Sequence, residues 1–200
     1  MAFQSWRDPL VCLTAPGTLY NTYTTAKSMF TSATAVAGAS AGIVTVPPNW
    51  WYIGKTVHIW GLAGVSNRVT GPDTFTMQIN GGPTSNIVIF TSGAINLTTT
   101  AHTTIPMTFD IYLTCRAVGN GALANIIGQA RFHGQMIAMA ASLADNAAGT
   151  GWAMGPNTAP AVGTGFDSTV STVLDLFVAQ SVSNAGNGFQ IQMYTVEELN

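Results

Sequence analysis

Hydrophobic and polar residues alternate along much of this chain with a period of two, the repeat of a strand rather than a helix. Over residues 108–118, Phe109, Ile111, Leu113, Cys115 and Ala117 alternate with Thr108, Asp110, Tyr112, Thr114 and Arg116. That pattern predicts a strand with one face buried and one wet. Residues 56–65 place Val57, Ile59, Gly61, Ala63 and Val65 on one face and His58, Trp60 and Leu62 on the other, which predicts cover on both sides. Residues 74–79 offer Phe75, Met77 and Ile79 to a core, and the continuous Ile87-Val88-Ile89-Phe90 run reads as a central strand. Further strands are expected over 125–137, 172–181 and 189–196. In 172–181, Leu174, Leu176 and Val178 face inward and Asp175 outward; in 189–196, Phe189, Ile191 and Met193 share the inner face.

Turn chemistry separates these segments. Gly71-Pro72-Asp73, Asn80-Gly81-Gly82-Pro83, Gly119-Asn120-Gly121 and Asn184-Ala185-Gly186-Asn187-Gly188 each supply residues that tolerate or impose a reversal. Asn120-Gly121 between two apolar runs predicts a hairpin. No segment sustains helical periodicity. The expected fold is all-β: an antiparallel jelly-roll sandwich over 28–200, with an extended N-terminal arm, 1–27, and a long loop insertion at 140–168. The insertion is rich in Ala, Gly, Asn, Thr and Pro, and Trp152, Met154 and Phe166 are its expected anchors.

Composition sharpens the picture. Only 7% of the 200 residues are charged, against roughly 25% in an ordinary soluble domain. Neutral hydroxyls, including 27 threonines, supply most of the polarity. A net charge of −2 argues against a protein that binds nucleic acid by neutralising phosphates. No apolar stretch approaches the roughly 18 residues of a spanning helix, so no membrane partner is expected. The opening lacks the apolar region of a secretory signal, and synthesis in a cytoplasm is the expectation. Asn96-Leu97-Thr98 matches the glycosylation triplet, which without a secretory route is read as chance. Cys12 and Cys115 are too few for a disulfide framework, and Cys115 falls on an apolar strand phase as a small core residue.

Candidate catalytic constellations do not assemble. Gly54-Lys55-Thr56 looks like the end of a phosphate-binding loop, but Asn49 stands where that loop needs glycine and a strand follows instead of a helix. His58, His102 and His133 lack a second ligand at metal-binding spacing. No nucleophile elbow is present. Glu197 and Glu198 lie at the chain's end, while Asp110 and Asp175 read as outward strand positions, so no carboxylate pair is indicated. The expectation is no enzyme, no metal and no cofactor. Aromatic residues are the remaining chemistry: Trp50, Trp51, Tyr52 and Trp60 could stack on a sugar or a partner, or could plug the end of a sandwich. A surface so poor in charge loses little solvation when covered and suits permanent contacts.

Several blocks carry a resemblance. Met1-Ala2-Phe3-Gln4-Ser5 with Arg7-Asp8, then Gly17-Thr18 leading into Ser28-Met29-Phe30, resembles the start of small virion proteins of tailed bacteriophages. Val46-Pro47-Pro48-Asn49-Trp50-Trp51-Tyr52-Ile53-Gly54-Lys55-Thr56-Val57 resembles their approach to a strand that ends in glycine, here Gly61. Thr108-Phe109-Asp110-Ile111, Gln129-Ala130-Arg131-Phe132, Val173-Leu174-Asp175-Leu176 and Phe189-Gln190-Ile191 are similar to the strands that follow. The resemblance implies a jelly-roll protein on the outside of a phage particle, a head decoration or minor capsid protein, commonly a homotrimer. Its implied partners are the major capsid protein and other copies of itself, without direct nucleic-acid contact. Other proteins of similar pattern are minor tail proteins, so tail-tip binding of a host receptor or glycan is the alternative. The arm is then expected to lie across a neighbouring subunit. Interface candidates are Trp6, Leu10, Tyr20, Trp50, Trp51, Trp152 and Phe166.

Overall fold

A computed structural model describes residues 8–30, 42–68, 73–138 and 151–199. Trp6, the first seven residues of the resemblance, the Gly71-Pro72 turn and residues 140–150 of the expected insertion lie outside the described residues. The described strands are β1 (Asp8–Cys12), β2 (Tyr20–Asn21), β3 (Lys27–Ser28), β4 (Val44–Val46), β5 (Thr56–Asn67) and β6 (Thr74–Gly81). They continue as β7 (Ile87–Asn96), β8 (His102–Ala117), β9 (Asn125–Gly134), β10 (Trp152–Gly155), β11 (Thr172–Gln180) and β12 (Gly188–Glu198).

Two antiparallel sheets pack against each other as a β-sandwich. One runs β1-β12-β5-β8-β9-β10, with β2 also on β12; the other runs β3-β11-β6-β7, with β4 also on β11. The first and last long strands pair, β5 with β12, and the next pair inward, β6 with β11, sits in the facing sheet. This is the nesting of a jelly roll, while β6–β7 and β8–β9 are hairpins within one sheet. The β8–β9 reversal contains the Asn120-Gly121 turn, with Gly121 at positive φ.

The period-two reading holds through β8. Phe109, Ile111, Leu113 and Cys115 are buried, and Tyr112 and Arg116 are exposed. Aromatic residues carry the core across the sandwich: Phe75 of β6 meets Phe132 of β9 at 5.6 Å and Phe189 of β12 at 5.9 Å between ring centroids. Gly128 of β9 lets the sheets close, since a Cβ there would stand 2.2 Å from the Phe90 ring of β7.

β12 departs from the expected phase. Its register against β5 shifts between Ile191 and Met193, a bulge that inserts one residue and turns the following side chains over. Met193 therefore points outward, 51% exposed, and Tyr194 takes the inner position. Gly61 makes room for the bulge, because a Cβ there would lie 2.4 Å from the Met193 carbonyl oxygen.

The expected central strand at 87–90 is instead the terminal strand of its sheet, β7. Its edge is covered by the segment after β10. The backbone N–H of Asn157 donates to Ser92 O, the Asn157 side chain donates to Ala94 O, and Thr164 N–H donates to Val88 O. The same segment rejoins β9 through Val162 opposite Ile127 and Phe166 opposite Ala124, so residues 155–166 seal one open side of the sandwich. Phe166 anchors the insertion as expected, whereas Trp152 and Met154 face outward.

The other side is sealed by residues 8–28, most of the segment expected to lie as an arm across a neighbouring subunit. β1 and β2 pair with β12, and β3 pairs with β11, so residues 8–28 pass from one sheet to the other on their own sandwich. Leu13 N–H to Tyr194 O and Gly17 N–H to Ile191 O continue the pairing between strands. Backbone groups on an open sheet edge seek partners, and this edge supplies them within the chain.

Asp175 keeps the phase the alternation gives it but is not wet. It is 2% exposed, with Ser28 Oγ of the neighbouring β3 donating to its carboxylate at 2.9 Å. Burial pushes its carboxyl up to about 6, against the opposing pull of hydrogen bonds from Ser28, Ser85 and the Leu176 backbone.

A candidate interaction face

The aromatic block before β5 closes one end of the sandwich. Trp51 is 3% exposed and meets Phe166, itself fully buried, at 6.1 Å between centroids. Both are core residues, which corrects the expectation that they form an interface. Trp50 is half-buried and edges Trp51 at 4.9 Å, and the Lys55 ammonium sits 3.8 Å from the Trp50 ring centre. Lys55 also pairs with Glu198, so this lysine holds the cap together and leads directly into β5. Gly54-Lys55-Thr56 thus has no phosphate-binding geometry. Leu10 and Tyr20 are partly buried against the core from β1 and β2. Trp152 alone among the described candidates stands well out of the surface, at 49% exposure.

Trp152 belongs to a larger feature, the outward face of the seven-stranded sheet. Register fixes which side chains share it, because directly paired residues point to the same side. Met193, Leu62, Thr108, His133 and Trp152 form one row across β12, β5, β8, β9 and β10. Thr195, Trp60, Asp110, Arg131 and Met154 form the next. Glu197, His58, Tyr112 and Gln129 form a third. Tyr112, Trp152, Met154 and Met193 are exposed, and Trp60 and Leu62 half-exposed.

A polar cluster stiffens the middle of this face. His58 is nearly buried; its Nε2 lies 3.0 Å from Asp110 Oδ1, and its Nδ1 lies 3.6 Å from Glu197 Oε2. Trp60 Nε1 donates to Glu197 at 3.4 Å. The His58 ring stacks on Tyr112. Among the described residues no group of three His, Cys, Asp or Glu side chains is placed to hold a metal ion, and no helix is long and apolar enough to cross a membrane.

Beside Tyr112 the face is hollowed into a trough of about 320 Å³. Tyr112, Thr114 and Gln129 line it from the sheet, and Met154, Pro156 and Pro160 line it from the segment after β9. The face was partly legible beforehand, since Trp60 and Tyr112 fall on outward strand phases. Met193 was hidden by the bulge. The trough joins positions far apart in sequence, and no local motif marks it.

The chain matches no family model and no curated protein. Among solved structures it is similar to the CBM2 module of the evolved Dit of Lactobacillus casei BL23 phage J-1. That pair has 9% identity, a TM-score of 0.36 and 98% of each chain covered. It is also similar to the carbohydrate esterase vb_24B_21 from Shiga toxin-encoding bacteriophage phi24B, with 11% identity, a TM-score of 0.29, and 98% and 100% covered. A third is alginate lyase vAL-1 from Chlorella virus, with 10% identity, a TM-score of 0.27, and 92% and 84% covered.

Proposed function

We propose that this protein is a structural component of a tailed-phage particle and works by adhesion, not catalysis. The observation that carries this reading is the outward sheet face. Exposed aromatic and thioether side chains stand on β8, β10 and β12, with Trp60 half-exposed on β5, and no described strand is stacked over them. Interfaces favour such residues at their centres and disfavour charge there. The chain is only 7% charged, although Asp110, Arg116 and Arg131 stand on this face and would need partners across a contact.

The finer reading is decoration of the capsid exterior. Trimers of this block would seat on the major capsid protein and add contact area at the joints between capsomers. Stable contacts of this kind bury on the order of 2,000 Å² or more. The segment 8–28 is engaged with its own sheets, so the sheet face rather than an arm is the proposed contact. A second reading, binding of host-surface material from the tail, is favoured by the trough beside Tyr112. Counting copies on purified particles and locating them by electron microscopy tests the proposal. Many copies on the head support decoration, a few at the tail support the second reading, and absence from particles overturns both.

A further inference from the structure

The trough has a chemical character of its own. The phenol ring of Tyr112 is backed on one side by the His58 imidazole, with centroids 4.4 Å apart and planes 10° apart. It lines the trough together with Met154, Pro156 and Pro160. Thr114, Gln129 and Arg116 supply the polar part of the lining. The lining contains no carboxylate. The sugar's C–H faces suit the negative face of an aromatic ring, and hydroxyl and amide groups suit its ring hydroxyls. A volume of this size falls at the small-ligand end of the usual range.

Charge narrows the ligand further. Of the six Lys and Arg residues in the chain, Lys55 pairs with Glu198 and Arg68 with Asp73. Lys27 lies near the rings of Tyr20 and Tyr23. Arg116 and Arg131 both stand exposed on the outward face, and neither makes an ion pair among the described residues. The nearby acids Asp110 and Glu197 are engaged by His58. A guanidinium pairs with a carboxylate through two parallel hydrogen bonds, a geometry an ammonium does not supply. The same fork also fits a phosphate; a uronic-acid carboxylate differs in being carried on the very ring that would stack on Tyr112.

We propose that the trough binds an acidic saccharide, a uronic-acid sugar whose ring stacks on Tyr112 and whose carboxylate pairs with Arg116. This deepens the second reading of function above and rests on it. The test is calorimetric titration of the intact protein, at low salt, with short oligomers of galacturonic, glucuronic and mannuronic acid and with their neutral counterparts. The expected result is binding of acidic oligomers only, weakened at least tenfold in Arg116→Gln and Tyr112→Ala, with the Arg116→Gln melting temperature unchanged. Equal binding of neutral oligomers, no binding of any oligomer, or acidic binding indifferent to Arg116→Gln overturns the site. A parallel assay of attachment to whole host cells separates the two levels. Attachment without acid selectivity sinks the site and keeps the reading, and no attachment sinks the reading as well.

Discussion

His58 and Tyr112 face each other across neighbouring strands with their rings parallel and 4.4 Å apart. The histidine is held in turn by Asp110 and Glu197, so the ring that borders the trough is oriented by a partly buried polar cluster. Replacing His58 by Ala removes the stack and leaves two carboxylates without their shared partner. The expected cost is about 1–2 kcal/mol, read as a lower urea midpoint, together with loss of the tyrosine near-ultraviolet dichroism contributed by a fixed Tyr112.

Asp175 makes stability depend on pH in the direction opposite to a salt-bridged carboxylate. Its folded value of about 6 lies above the ordinary 3.8, so between those values the folded state holds more proton than the unfolded chain. Stability from this group is fully present below about pH 4 and is lost as pH rises through 6. Asp175→Asn keeps the Ser28 contact without the charge. It is expected to be more stable than the parent at pH 7.5 by about 2–3 kcal/mol, with the difference vanishing toward pH 4, as measured by urea unfolding at several pH values.

Gly61 is required by backbone, not by a side chain that could swing aside. A methyl group there would meet the Met193 carbonyl at 2.4 Å and the Phe109 ring at 2.6 Å. Gly61→Ala is expected to cost about 1–3 kcal/mol. Amide exchange should show faster opening around Met193 in β12 while β6 and β7 are unaffected.

Trp51 and Trp152 should separate stability from adhesion. Trp51→Ala empties a buried site against Phe166 and is expected to cost about 3–5 kcal/mol in thermal or urea unfolding. Trp152→Ala removes a half-exposed ring and is expected to change stability by about 0.5 kcal/mol or less. In a particle-binding assay the Trp152 variant should still lose affinity.

Which parts of this molecule the residues announce in advance follows from how local their causes are. The faces of β8 were readable because Phe109, Ile111, Leu113 and Cys115 repeat without interruption. Met193 was misread because a bulge is set by its partner strand, here by the space at Gly61. Asp175 follows its alternation, but its carboxylate is taken up by hydrogen bonds from Ser28, 147 residues away in the chain, and from Ser85. Trp50, Trp51 and Tyr52 are adjacent in sequence yet end half-buried, buried and exposed, because the turn into β5 points each differently. The trough draws on Tyr112, Gln129 and Pro160, and only their outward phases hinted at a shared face.

The pairing of β1 with β12 sets Asp8 opposite Glu198. Both ends of the described chain thus leave from the β1 margin of the larger sheet, and β10, bordering the hollow beside Tyr112, lies at the far margin. A label carried at Asp8 or Glu198 therefore stands at the margin of the sheet opposite Trp152.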